Sequence, residues 1–209
     1  QNVVDMISSW NPNLFLYLGD VYDRGGISEF SNWYGTNGSY FSRFAAITDP
    51  TIGNHEYSLG TTYGYFAYWG LGAQHYYSFD AGGWHFISLD STSQFGQTAP
   101  NTPQYQWLNS DLQASANPCT IVYYHHPLYN VGSEAAAVRM QSMWSLFAQY
   151  GVPIVLNGHD HDYQRWVALD GNGNPSATGV TEIVAGTGGH SGQAFTKTDP
   201  RLAFGIDDS

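Results

Sequence analysis

The sequence predicts a mixed α/β fold, and three observations predict it. Apolar runs of strand length, such as Leu14-Phe15-Leu16-Tyr17-Leu18 and Ile154-Val155-Leu156, alternate with stretches of helical spacing. Antiparallel signatures interrupt that alternation, around Ala81-Gly82-Gly83 and around Asp170-Gly171-Asn172-Gly173. Four of the strand-like runs stop at once in polar residues: Asp20, Asn54, His125 and His159. Ligands of α/β sheets gather at the carboxyl ends of strands, so these four positions mark the candidate site.

Taken in order, residues 3–10 read as a short helix closed by Asn11-Pro12-Asn13. The run 14–18 is a buried strand ending at Gly19-Asp20. Residues 27–34 and 39–47 have helical spacing, and Thr51-Ile52 is a short strand running into Gly53-Asn54-His55-Glu56. His75 to Asp80 and Trp84 to Asp90 alternate as the two arms of a hairpin. A polar loop over 91–102 precedes a helix over 103–114, with Tyr105, Leu108 and Leu112 on one face. The β-rich run Thr120 to Tyr124 stops at His125-His126-Pro127. Residues 133–150 form the longest helical pattern, stopped by Gly151-Val152-Pro153. Tyr163 to Leu169 and Val180 to Val184 suggest a second antiparallel ribbon.

The 209 residues suit a single domain with a sizeable core. The formal charge of −11, with Lys197 the only lysine, excludes nucleic-acid binding through a basic face. It would also repel anionic substrates unless bound cations reverse the local field. The sequence holds no apolar run long enough for a membrane-spanning helix. Gln1 is followed by neither a basic stretch nor an apolar signal core, and a chain opening without Met reads as a processed product or a fragment. Few lysines with abundant Tyr, Trp, Asn, Ser and Thr suit a secreted, extracellular or periplasmic protein. Cys119 reads as a small hydrophobe opening a strand.

The strand-end residues share a chemistry. Carboxylate, amide oxygen and imidazole are ligands for borderline cations such as zinc, manganese and iron. Asp20 has two oxygens and can bridge two cations, Asn54 offers a neutral oxygen, and a turn after Gly158 can aim His159 and His161 at different ions. Two cations roughly 3.5–4 Å apart would clamp the attacking and leaving oxygens of an in-line displacement at phosphorus. A cationic site would also answer the repulsion expected of an acidic protein.

Gly19-Asp20, Gly53-Asn54-His55-Glu56, His125-His126-Pro127 and Gly158-His159-Asp160-His161 stand in the order of the calcineurin-like metallophosphoesterase superfamily, which the chain resembles from Leu14 to His190. The stretches His125 to Asn130 and His159 to Arg165 look like its purple acid phosphatase branch, in particular bacterial secreted relatives. Each motif alone is weak; four in order, each after an expected strand, are specific. The resemblance implies a four-layer α/β/β/α sandwich of two mixed sheets and binuclear, metal-dependent hydrolysis of phosphate monoesters. The cofactors would be two divalent or trivalent ions, iron with zinc, manganese or iron, and the partner a small phosphorylated substrate attacked by metal-bound hydroxide. Carried over residue by residue, Asp20 bridges the ions, Asn54, His125 and His159 complete one shell, and His161 serves the other. His55 assists the leaving group, and His126 stands on the substrate side.

Three departures qualify the match. No Asp-x-Gly or Asp-x-His motif precedes Leu14, so the fold is expected to lack its first strand. The tyrosine that the branch places three residues after the bridging Asp is here Tyr22, one residue early, and is carried as a metal ligand on that shortened spacing. Asn130-Val131-Gly132-Ser133-Glu134 stands where plant members carry substrate-side histidines. With a tail that ends without a stop signal, the single catalytic domain 1–209 is expected to be incomplete at both ends. A phosphodiesterase or nucleotide hydrolase on the same site is the nearest rival, and a non-catalytic module of a larger extracellular protein is another.

Outside these motifs the ordinary readings hold. His75 and His85, alternating with aromatic residues, are read as structural, whereas His190 is left open between a structural role and a place near the site. Tyr105, Trp107 and the aromatic cluster from Tyr63 to Trp69 are read as packing, and Asp170 with Asn172 as a turn.

Overall fold

The computed structural model describes residues 2–115 and 119–208. Among the described residues, nine strands form two sheets. A two-stranded parallel sheet pairs β1 (Phe15–Tyr17) with β2 (Thr48–Pro50). A seven-stranded mixed sheet contains β3 (Tyr77–Ala81), β4 (Trp84–Ser88), β5 (Thr120–Tyr123), β6 (Ile154–Asn157), β7 (Tyr163–Trp166), β8 (Thr181–Ala185) and β9 (Leu202–Ile206), in the order β3-β4-β5-β6-β8-β7-β9. Its centre, β4-β5-β6-β8, is parallel, and β3, β7 and β9 pair antiparallel.

The five helices are α1 (Asn2–Ser9), α2 (Ile27–Glu29), α3 (Tyr63–Trp69), α4 (Pro103–Ala114) and α5 (Gln141–Gln149). Proline opens α4, where its missing N–H costs nothing, and Leu108 and Leu112 are buried on its inner face. Together with Met143, Trp144 and Phe147 of α5 they cover Ile87, Val122 and Val155 on one face of the large sheet. Its other face meets the small sheet: Tyr77 Oη and Ser88 Oγ donate to Pro50 O at 2.6 and 3.2 Å, and Thr51 Oγ1 donates to Leu89 O at 2.8 Å. Beyond the small sheet, Phe30, Tyr34, Tyr65 and Phe66 of the α2 and α3 region pack on Ile52 and Tyr17. The succession is helix, large sheet, small sheet, helix, as the four-layer expectation has it, with the smaller sheet purely parallel.

Some elements differ from expectation for local reasons. The strand expected at Thr51-Ile52 begins three residues earlier, and Thr51 extends it by donating its N–H to Tyr17 O at 2.8 Å. Of 27–34 only α2 is α-helical; Phe30–Tyr34 widens into a π turn closed by Gly35 N–H to Phe30 O at 2.9 Å. Residues 39–47 tighten into a 3₁₀ helix over Tyr40–Ile47. The helical pattern 133–150 shrinks to α5 and a preceding 3₁₀ turn, Val138–Met140. The N–H groups of Ser133 and Glu134 reach the Asp160 carboxylate at 3.2 and 3.3 Å, and Ala137 N–H reaches Pro127 O, so these donors are spent outside any helix. Two elements went unforeseen: α3, within the aromatic cluster, and β9, in the tail.

Candidate metal centre

Parallel pairing puts the ends of β1 and β2 at one edge of the small sheet, and those of β5 and β6 at one edge of the large one. The two edges touch. His125 donates its Nδ1–H to the carbonyl of Leu18, just past β1, at 2.7 Å. A carbonyl can only accept, so the proton sits on Nδ1 and the Nε2 lone pair is free. That Nε2 lies 2.9 Å from Asp20 Oδ2 and 3.1 Å from His159 Nδ1. Donor atoms sharing one tetrahedral cation at about 2.0–2.2 Å sit roughly 3–3.5 Å apart, which is the separation found.

Asp20 and His159 adopt left-handed backbone, with φ of 65° and 69°. Such conformations are uncommon outside glycine, although Asp and His tolerate them better than most residues. At His159 this is the turn that swings the imidazole back over the strand end. Asn54 sits at the start of the 3₁₀ turn His55–Tyr57, and its buried Oδ1 has no hydrogen-bond partner among the described residues. Orphan buried oxygens are rare and costly, and a cation would relieve this one.

His126 joins the group. One nitrogen from each of His125, His126 and His159 lies within 4.8 Å of the others. The His126 ring is anchored by Ser91, whose Oγ contacts Nδ1 at 2.9 Å and accepts the His126 backbone N–H at 3.0 Å. Burial, then the neighbouring His125, pushes His159 down to about 3, and burial pushes His126 further down still. Both are therefore neutral at physiological pH, as imidazole ligands must be. Burial by itself would raise the Asp20 carboxyl, but the His125 and His55 rings outweigh it and hold it below the usual range. His125 is the reverse case: burial would lower it, and the Asp20 carboxylate raises it instead.

His161 lies outside that trio. Its buried Nδ1 lacks a hydrogen-bond partner among the described residues, and its ring stands 4.3 Å from the ring of His190. Burial, then His190, lowers its pKa. His55 is partly exposed; its Nδ1 contacts Asp23 O at 2.5 Å, which leaves Nε2 facing Asp20 Oδ2 at 3.9 Å. Tyr22 is placed differently. Its φ is 71°, its ring stacks on Trp33 at 4.5 Å, and among the described residues its hydroxyl hydrogen-bonds none of these groups.

The shell behind these side chains was not legible beforehand. Glu56, fully buried, accepts the N–H groups of Val21 and Gly53 at 2.7 Å each and of Asp20 at 3.0 Å, fixing the loop that carries Asp20. Gly53 lets Asp20 approach: a Cβ there would lie 2.8 Å from the Asp20 backbone nitrogen and closer still to its carboxylate. Glu182 plays a matching part below the site, accepting Leu128 N–H at 2.9 Å and Tyr129 N–H at 2.8 Å. In the run 159–164 the residues between the histidines face the other way. Asp160 binds Asn130 Nδ2, and Gln164 Nε2 donates to Asn130 Oδ1 at 2.6 Å and to Asp162 Oδ1 at 2.9 Å. The run thus presents imidazoles to the site and builds the 130–134 loop with its other side chains. The only signal for Glu56 and Asp160 was their place inside the motifs.

The other histidines have partners. His75 Nδ1 is 2.9 Å from buried Asp90, and His85 lies between Asp80 and Asp111, at 2.8 Å from each. Asp170 accepts the N–H groups of Asn172 and Asn174 at 2.8 and 2.9 Å, which is a turn. No helix among the described residues is long and apolar enough to cross a membrane.

Comparison with known proteins agrees with this fold. Purple acid phosphatase 15 of Arabidopsis thaliana is 28% identical, aligned over 90% of this chain and 43% of its own length. Phosphoenolpyruvate phosphatase of Allium cepa is 29% identical over 88% of this chain and 45% of its own. The chain thus spans under half the length of these curated relatives. A purple acid phosphatase from yellow lupin seeds superposes on 97% of this chain and 41% of its own, with a TM-score of 0.74 at 19% identity. A Plasmodium protein described as the anchor in the inner membrane complex shares the fold at a TM-score of 0.67 and 14% identity, over 99% of this chain and 71% of its own. The profile described as calcineurin-like phosphoesterase matches residues 1–163, and the chain belongs to that family.

Proposed function

We propose that this chain hydrolyses phosphate monoesters at a two-cation centre. The observation that carries the reading is the convergence, at the ends of four strands, of Asp20, His125 and His159 with the unpaired Asn54 oxygen. These donors fit a cation. They include a carboxylate and two imidazoles, with Asp20 and His159 at 2.9 and 3.1 Å from His125 Nε2, and a carbonyl with no competing partner among the described residues. Asp20 would bridge, Asn54, His125 and His159 would hold one ion, and His161, whose Nδ1 is likewise unpaired, would hold the other. When bound, such ions offset the charge of the phosphoryl oxygens and make water nucleophilic near neutral pH.

The remaining work belongs to the side chains. His55, steadied by Asp23 O, directs Nε2 toward the site and can pass a proton to the departing alcohol. His126, fixed on Ser91, lies on the substrate side. The names of the relatives support a phosphatase, and their monoester chemistry is taken over here as a proposal. A secreted or periplasmic location fits the composition. The rival readings are a diesterase on the same site and a non-catalytic module.

One experiment separates them. The protein is loaded with zinc, manganese or iron, assayed for bound metal, and offered monoesters, cyclic nucleotides and diesters, in parallel with His159→Ala. Monoester turnover that His159→Ala abolishes together with one metal is the expected result. A diester rate above the monoester rate favours the diesterase. Less than one metal per chain with no hydrolysis favours the module. Full activity of His159→Ala at full metal content overturns the site.

A further inference from the structure

Tyr22 and Trp33 form an exposed aromatic stack beside the centre. Their rings lie 4.5 Å apart with planes 21° from parallel, and the residues are 56% and 53% exposed. Large apolar groups left this open are normally scattered singly, whereas these two are stacked face to face, which leaves an outer ring face for a third ring. Two unusual backbone features create it. Tyr22 takes φ of 71°, a conformation that a bulky residue rarely adopts. Trp33 sits in the π turn Phe30–Tyr34, a feature that concentrates at functional sites. Strain kept at such positions points to a use.

The stack is tied to the reacting groups. Tyr22 is two residues from Asp20 and donates its N–H to Asp20 O at 3.1 Å, so their Cα atoms are at most about 7–8 Å apart. The next residue, Asp23, supplies the carbonyl that holds His55. The segment 20–23 thus carries the bridging carboxylate at one end and the carbonyl that holds the leaving-group histidine at the other, with Tyr22 between them.

We propose that Tyr22 and Trp33 are a platform for the leaving group, selecting phosphate monoesters whose alcohol carries a planar ring, such as a nucleoside. This rests on the phosphatase reading above and names its substrate class. A ring laid on the stack meets a π face parallel to its own, and base–aromatic stacking tolerates any base because every base has such a face. The phosphoryl group would lie at Asp20 and the sugar would span to the rings. In this reading Tyr22 serves the substrate through its ring.

Adenosine 5′-monophosphate and ribose 5-phosphate test this, since both release the 5-hydroxyl of a ribose and they differ at C1, where one carries the base and the other a hydroxyl. With metal-loaded protein, kcat/KM for the nucleotide is expected to exceed that for the sugar phosphate about tenfold or more. Trp33→Ala should erase that preference, mainly through KM, leaving ribose 5-phosphate turnover unchanged, and Trp33→Phe should restore part of it. Equal loss on both substrates, as expected if another polypeptide segment covers the rings, overturns the platform, as does no effect on either. Failure of the parent protein to hydrolyse either ester would sink the phosphatase reading alone. The platform is then judged by calorimetric titration with adenosine, whose binding must weaken in Trp33→Ala.

Discussion

Replacing Glu56 with alanine would leave three backbone N–H groups, the buried ones of Val21 and Gly53 and the part-buried one of Asp20, without their acceptor. Each unsatisfied buried donor costs about 1–3 kcal/mol. Water entering the vacated space, and relief from burying a carboxyl whose pKa burial has already raised, offset part of the loss. A net destabilisation of about 3–5 kcal/mol is expected, a large share of the 5–15 kcal/mol typical of a whole domain. Glu56→Gln separates shape from charge. Its oxygen can serve one pair of donors, either Val21 N–H with Tyr17 Oη or Asp20 N–H with Gly53 N–H, while its NH₂ confronts the other pair. It should lose about 2–3 kcal/mol despite near-identical volume. Urea unfolding of the metal-free protein reads both variants. If Glu56→Ala stays within about 1 kcal/mol of the parent, the claim that this carboxylate fixes the Asp20 loop is wrong.

Two further predictions use other parts of the molecule. Gly53→Ala places a Cβ against the Asp20 carboxylate and should weaken metal binding at least tenfold, measured by calorimetric titration; unchanged affinity would show that the loop yields freely. Stability should fall as pH rises from about 7 to 9, above the range in which the lowered His126, His159 and His161 act in the opposite sense. Burial pushes the Glu182 carboxyl up to about 8 from an ordinary 4.5, so between those values the folded chain holds a proton that the unfolded chain has released. His85 acts in the same sense: burial opposes its charge, but Asp111 and Asp80 raise its pKa, so its contribution is complete below the unfolded value and lost as pH climbs through the folded one. Glu182→Gln should flatten the slope of unfolding free energy against pH; an unchanged slope would assign it elsewhere.

The order and type of most elements could be read from the sequence, because apolar periodicity and turn residues carry them. Asp20, Asn54, His125, His159 and His161 could be singled out because each follows a strand end or sits in a histidine cluster. What stayed hidden depends on long-range partners. Residues 133–137 have helical spacing, yet Ser133, Glu134 and Ala137 spend their N–H groups on Asp160 and Pro127, contacts that no local pattern announces. The strand β9 lacks alternation and exists because Tyr163 to Trp166 offers it an edge. Tyr22 matched a ligand position by spacing, but the hand of its backbone decides where the ring goes, and spacing carries no handedness.

The contact between the His125 ring and the Leu18 carbonyl makes the centre a fastener. The small sheet has only two strands, too few to persist unsupported, and its inner surface is held to the large sheet by side chains such as Tyr77, Ser88 and Thr51. Asp20 and Asn54 belong to the small sheet's loops, His125 and His159 to the large sheet's. An ion gripped by all four stitches one sheet to the other. At a hundredfold excess over its dissociation constant it would add about 2.7 kcal/mol to the folded state. That gain would fall on the seam between the layers, so the supply of cations would govern how firmly the N-terminal third of the chain stays attached, apart from any role in turnover.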